Sequence, residues 1–115
     1  MKISEIAEAL SLKLFSGEKG LNKEVHDVYI TDLLSDLMDN GKPGQLWITQ
    51  QSHKNIILSA ALKNIEAVII VRSILPHKET LKLSDIEKIP VLGTDSSTYE
   101  IAGKIYNLLR SHESI

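Results

Sequence analysis

No cysteine occurs anywhere in this 115-residue chain. That removes disulfide bridges, thiolate metal ligands and cysteine nucleophiles together. Charge of one sign is also missing: 13 Lys and Arg face 15 Asp and Glu, for a net charge of -2. The basic residues are scattered among acids, so the concentrated Lys/Arg surface that binds nucleic acid through its phosphates is not expected. The longest apolar run, Ala67 to Val71, is far short of the ~20 residues needed to span a bilayer. The opening Met1-Lys2-Ile3-Ser4-Glu5-Ile6 starts an amphipathic helix and has no apolar signal core. We therefore expect a cytoplasmic protein with no membrane contact.

The glycine-rich motifs of phosphate chemistry are absent as well. Neither Gly-x-Gly-x-x-Gly nor a P-loop occurs, and no Gly-x-Ser-x-Gly elbow supports a hydrolase triad. His26, His53, His77 and His112 fall in four separate segments, with no spacing that sets two on one helix face, so no metal site is expected. Asp32, Asp36 and Asp39 make an acidic helix face without the order of a calcium loop, most simply a solvated surface. The composition leaves no catalytic constellation, so neither an enzyme nor a bound cofactor is expected.

What the chain does have is ordinary globular material: 43% hydrophobic, 24% charged, with a mean hydropathy of -0.03. Its length suits one domain, residues 1–115, with a single core. Ile3, Ile6, Ala7 and Leu10 predict a first helix, with Ser4 and Glu5 placed to cap it. Leu12 to Phe15 and Val25 to Ile30 read as two extended stretches around the turn Ser16-Gly17-Glu18-Lys19-Gly20, a hairpin or strand pair. Thr31-Asp32 should begin a short helix with Leu33, Leu34, Leu37 and Met38 on one face, ended by Asn40-Gly41.

From Gln45 onward the pattern alternates between strand and helix. Leu46-Trp47-Ile48 is a strand, and Ser52 or His53 should open a helix carrying Ile56, Ile57, Ala60 and Ala61, closed by Asn64. Ala67 to Val71, β-branched at four of five positions, predicts a central strand buried on both faces. A helix with Leu81, Leu83 and Ile86 follows Pro76. Pro90-Val91-Leu92 is then a short strand whose proline suggests a first position or an edge. Ser97 and Glu100 form a capping box for the last helix, with Ile101, Ala102, Ile105, Leu108 and Leu109 as its stripe and Ser111 to Ile115 expected to fray. The alternation predicts an α/β fold, a small mostly parallel β-sheet flanked by helices.

In such sheets ligands sit at the carboxyl ends of the strands. Two polar loops fall there, one containing Gln51, Ser52 and His53 and the other Thr94, Asp95 and Ser96. Backbone N–H groups at helix starts can hold an anion, and the hydroxyls and Asp95 can meet a ribose. The same residue types cap helices, so each loop has a structural reading beside the functional one. Ser96 and Ser97 could instead accept a phosphoryl group. Trp47, the only tryptophan, is best read as a core or interface residue.

The strings Asp32-Leu33-Leu34-Ser35-Asp36, Gly44-Gln45-Leu46-Trp47-Ile48-Thr49, Ala67-Val68-Ile69-Ile70-Val71 and Ile89-Pro90-Val91-Leu92-Gly93-Thr94-Asp95, in that order, resemble a stand-alone DRTGG domain over nearly the whole chain. The resemblance extends to the N-terminal domain of HPr kinase/phosphorylase, an α/β domain without the kinase chemistry. An Asp-Arg-Thr-Gly-Gly string, which would follow the Trp47 strand, is replaced here by Thr49-Gln50-Gln51-Ser52-His53. Such domains also occur beside CBS modules in regulated inorganic pyrophosphatases and ahead of phosphate acetyltransferase domains. The resemblance implies a non-catalytic regulatory or interaction module, homodimeric, sensing a nucleotide or other small anionic ligand. The alternative is a ligand-free adaptor that docks a protein partner in a signalling pathway.

Overall fold

A computed structural model describes residues 1–113. The elements run α1 (Ile3–Ala9), β1 (Lys13–Ser16), a 3-10 turn (Glu18–Gly20), β2 (Asp27–Ile30), α2 (Leu34–Asn40), β3 (Gln45–Thr49), α3 (Asn55–Lys63), β4 (Ala67–Ile70), α4 (Lys78–Glu87), β5 (Val91–Gly93) and α5 (Thr98–Glu113). The five strands form one sheet in the order β1-β5-β4-β3-β2. Strands β2 to β5 are parallel, and β1 joins β5 antiparallel.

Alternation along the strands divides the core into two layers, as a period of two residues requires. Leu46, Ile48, Ala67, Ile69 and Leu92 face α1 and α5, where they meet Ile3, Ile6, Ile101 and Ile105. Trp47, Val68, Ile70 and Val91 face the other way, against Leu37, Ile56, Ile57 and Ala60. Each of β2, β3 and β4 is followed by a crossover helix, and successive right-handed crossovers in one direction place α2, α3 and α4 on the same side. The expected central strand is confirmed: Ala67, Val68, Ile69 and Ile70 are all buried, with β3 and β5 as neighbours. Trp47 is wholly buried and donates its indole N–H to the Thr31 carbonyl at 2.9 Å, a core residue.

Several local expectations are corrected. The two N-terminal strands do not pair; β1 and β2 lie at opposite edges of the sheet. The segment between them crosses the α1 side, held by backbone bonds from Ile3 N to Lys23 O (3.0 Å), Ser4 N to Leu21 O (2.9 Å) and Val25 N to Met1 O (2.8 Å). Gly17 makes this route possible: its φ is +77°, and a Cβ there would overlap the Ile89 carbonyl. The cap of α1 comes from Glu5, whose carboxylate accepts the Lys2 N–H at 2.8 Å, and not from Ser4. Helix α2 begins at Leu34, after Thr31-Asp32, and only Leu37 of its predicted stripe is fully buried, Leu33 being 66% exposed. Helix α3 begins at Asn55 with no side-chain cap from Ser52 or His53.

Helix α4 differs most from the apolar stripe expected of it. Ile86 is 71% exposed, and the fully buried positions are the hydroxyl residues Thr80 and Ser84. Each is satisfied: Thr80 donates to the Ser52 carbonyl at 2.8 Å, and Ser84 donates to the Ile89 carbonyl at 2.6 Å while accepting from Ser16 at 2.8 Å. Pro90 immediately precedes β5, which is an interior strand and not an edge. The capping box of α5 forms, with Glu100 N–H donating to Ser97 Oγ at 3.2 Å and Ser97 Oγ to Glu100 Oε1 at 3.1 Å. The helix runs on through Ser111 to Glu113, where fraying was expected; residues 114–115 lie outside the described residues. Among the described residues no helix is long and apolar enough to cross a membrane.

Candidate functional site

Four parallel strands bring four loops to one rim, after β2, β3, β4 and β5. Asp32 organises its first half. Its carboxylate accepts hydrogen bonds from Thr49 Oγ1 (3.1 Å), Gln50 N (2.8 Å) and Gln50 Nε2 (3.1 Å), and its carbonyl accepts from Gln51 Nε2 (2.8 Å). The acidic helix face read from the sequence is therefore partly structural, since Asp36 likewise accepts from the Tyr29 hydroxyl at 2.7 Å and from Asn40 at 2.8 Å. Those bonds hold the Asp36 carboxyl below its ordinary pKa, the Tyr29 hydrogen bond first and those of Thr31 and Asn40 after it. The Tyr29 phenol is raised in turn, chiefly because it donates to that carboxylate.

Of the first predicted group, Gln51 is held by Asp32 and by its own N–H to Thr49 Oγ1 (3.1 Å). Ser52 contributes its carbonyl, which accepts from His77 N (3.1 Å) and Thr80 Oγ1 (2.8 Å) and so ties the β3 loop to α4. His53 borders a depression of about 390 Å³ with Lys54, Asn55, His77 and Glu79, and its Nδ1 is buried with no hydrogen-bond partner. The fold thus brings together two of the four histidines that the sequence keeps apart. No group of three His, Asp or Glu residues that could hold a metal occurs among the described residues.

The second predicted group, Thr94, Asp95 and Ser96, lines a different cavity of about 520 Å³. Its location follows from the winding. Helix α4 leaves β4 toward one face of the sheet and α5 leaves β5 toward the other, so the two neighbouring loops diverge, the arrangement that opens a crevice at the rim of an α/β sheet. Backbone bonds close its floor, from Ser73 N to Thr94 O (2.9 Å) and from Arg72 N to Ser96 O (3.0 Å). Arg72 and Ser73 both take left-handed backbone conformations, with φ of 60° and 58°, which cost a non-glycine residue energy. Lys13 and Phe15 of β1, Leu75, Lys104, and Leu10 and Ser11 from the turn after α1 also line it. Lys13 Nζ stands 5.2 Å from the centre of the Phe15 ring.

The two predicted groups therefore do not share one cavity. They stand a strand apart, with Arg72 between them, its guanidinium donating to Gln50 Oε1 at 3.3 Å. Sequence reasoning missed Lys13, Phe15, Arg72 and Lys104. Only the long-range pairing of β1 with β5, Lys13 opposite Gly93, brings the first two to the crevice. One signal was present: Gly93 ends a β-strand without a side chain, and a Cβ there would overlap the Phe15 ring.

A DRTGG domain model matches residues 5–108 of the chain. Among solved structures, the CBS and DRTGG domains of the regulatory region of Clostridium perfringens pyrophosphatase, complexed with the activator diadenosine tetraphosphate, align with a TM-score of 0.68 at 17% identity. The alignment covers 88% of this chain and 44% of that one, so this chain spans less than half of the solved region. At that identity the likeness is one of fold. No curated protein matches the chain.

Proposed function

The chain belongs to the DRTGG domain family, and from that premise we propose that it is a non-catalytic regulatory domain which senses a nucleotide in the cavity between the ends of β4 and β5. One observation carries this reading: a single crevice combines two ammonium groups, an aromatic ring, several hydroxyls and one carboxylate. Those are the complementary groups for the parts of a nucleotide. Lys13 and Lys104 would take phosphate, Thr94 and Ser96 would add hydroxyl donors, and Asp95 would accept from a ribose hydroxyl. Phe15 and the exposed Leu75 give the base an apolar wall. Assigning Asp95 to the ribose is the consistent choice, since its carboxylate would repel a phosphate but accepts from a ribose hydroxyl. The fold relative supports the ligand class, having been solved with a dinucleotide activator.

The test is titration with ATP, ADP and diadenosine tetraphosphate, followed by amide chemical shifts and thermal unfolding. Shifts should cluster at Ser73, Thr94–Ser97 and Lys13, and ligand at about 100 times its Kd should add ~2.7 kcal/mol of stability. The double variant Lys13→Ala/Lys104→Ala should lose both effects while keeping its circular dichroism. No perturbation at millimolar nucleotide would remove the ligand reading and leave the protein-docking adaptor.

A further inference from the structure

Among the described residues, five other than glycine have left-handed backbones: Ser11, Asn64, Arg72, Ser73 and Lys88. Asn64 and Lys88 cap the carboxyl ends of α3 and α4, and Ser11 lies in the turn that ends α1, where that conformation is an ordinary way to close a helix. Arg72 and Ser73 have no such reason. They follow strand β4, adjoin each other and stand at the β4–β5 crevice, the kind of place where strained backbone clusters. Two bonds hold the strain, from Arg72 N–H to the Ser96 carbonyl (3.0 Å) and from Ser73 N–H to the Thr94 carbonyl (2.9 Å). Ser73, Thr94 and Ser96 all line the cavity, so these bonds pin the Arg72 backbone at its lip.

The pinned residue carries an underused guanidinium. Arg72 is exposed, and its bond from Nη1 to Gln50 Oε1 is 3.3 Å long and goes to a neutral amide, beyond the usual length of such a bond. Its other N–H donors have no partner among the described residues. A guanidinium is a planar fork that matches two phosphate oxygens at once. Gln50, by contrast, is firmly held, its N–H and Nε2 both donating to the Asp32 carboxylate at 2.8 and 3.1 Å. It is a fixed rest that the arginine can leave without freeing the β3 loop. We propose that Arg72 is a phosphate-binding arm of the crevice, which leaves Gln50 for the outer phosphates of a nucleoside di- or triphosphate and so sets a preference for these over the monophosphate. The proposal rests on the nucleotide reading of the crevice. Lys13 and Lys104 line the cavity and take the phosphate nearest the ribose, whereas Arg72 stands outside the lining and meets only phosphates that project past the lip.

Calorimetric titration of the full chain with AMP, ADP and ATP tests it. The native protein should bind ATP roughly tenfold or more tighter than AMP, and Arg72→Ala should remove that margin and leave AMP affinity unchanged, since one charge-assisted bond is worth about that factor. Arg72→Lys keeps the charge, loses the fork and should retain part of the margin. Both variants keep a side chain at the left-handed position, so the backbone strain is unchanged and circular dichroism should stay native. Gln50→Ala removes the resting partner and should preserve or enlarge the ATP preference; a merely structural contact would instead weaken AMP and ATP together in both Gln50→Ala and Arg72→Ala. The Arg72 Nε resonance should move with ATP and stay in place with AMP. Nucleotides that shift the Thr94–Ser97 amides but bind Arg72→Ala with the native ratio of ATP to AMP affinity would overturn the arm and leave the nucleotide reading standing. No binding of any nucleotide by the native protein would overturn both.

Discussion

Helix α4 is anchored by hydroxyl groups, and that makes Ser84→Ala unusually informative. Ser84 is fully buried, donates to the Ile89 carbonyl at 2.6 Å and accepts from Ser16 at 2.8 Å. The variant removes both bonds and strands a buried carbonyl and a buried hydroxyl. At roughly 1–2 kcal/mol for each group left without its partner, the loss comes to about 2–4 kcal/mol. For a domain of this size about 4 °C of melting temperature accompanies each kcal/mol, so the Tm should fall by roughly 8–16 °C. Ser16→Ala keeps the bond from Ser84 to Ile89 and should cost only about 1 kcal/mol. In the double variant Ser16 is no longer stranded, so the two losses should add to less than their sum. Urea and thermal unfolding followed by circular dichroism measure all three. Equal losses for Ser16→Ala and Ser84→Ala, or strict additivity, would refute a chain of bonds running from Ser16 through Ser84 to Ile89.

Ile69 is wholly buried at the middle of the central strand, so Ile69→Asp, an unpaired buried carboxylate, should abolish the cooperative unfolding transition, and a parental Tm would contradict the sheet order. Gly93→Ala would drive a methyl into the Phe15 ring; Phe15 must leave its place, and nucleotide affinity should fall while far-ultraviolet circular dichroism stays native. The Asp36 carboxyl is depressed by its Tyr29 bond, so its contribution to stability is present above the unfolded carboxylate value near 3.9 and is lost as pH falls through the lower folded value. Tyr29→Phe should raise the Asp36 midpoint in a carbon-13 carboxyl titration, and an unmoved midpoint would assign the depression to Asn40 and Thr31.

The parts of the fold legible in the sequence are those set by local periodicity. The run from Ala67 to Val71 could be placed at the centre of a parallel sheet because a strand buried on both faces has no polar alternation to maintain. The Ser97–Glu100 box located the start of α5 because its bonds join residues three apart. The failures are long-range. Leu12–Phe15 and Val25–Ile30 looked like a hairpin because they are near in sequence, but the burial that decides their partners lies with α1, β3 and β5. Helix α4 departs from its apolar stripe because Thr80 and Ser84 are buried with their hydroxyls satisfied on backbone carbonyls, a solution that leaves no hydropathy signal.

The site divides along the same line. Thr94, Asp95 and Ser96 could be picked out because the carboxyl end of a parallel strand is fixed once the strand is recognised. Their cavity could not, because Lys13 and Phe15 reach it only through the pairing of β1 with β5, a contact that sets Lys13 opposite Gly93 across a long stretch of sequence. Gln51, Ser52 and His53 looked equivalent from sequence, since both loops follow strands and precede helices. The winding separates them: β3 and β4 are both followed by helices on one face, with a depression of about 390 Å³ beside His53 and His77, while β4 and β5 send their helices to opposite faces, beside the cavity of about 520 Å³. A ligand reading for the rim therefore depends on the direction of each crossover, which no single loop encodes. Lys13, Phe15, Asp95 and Lys104, which line one cavity, are the residues that the proposed nucleotide reading would use, while Asp32, accepting from Thr49 and Gln50, braces the neighbouring loop.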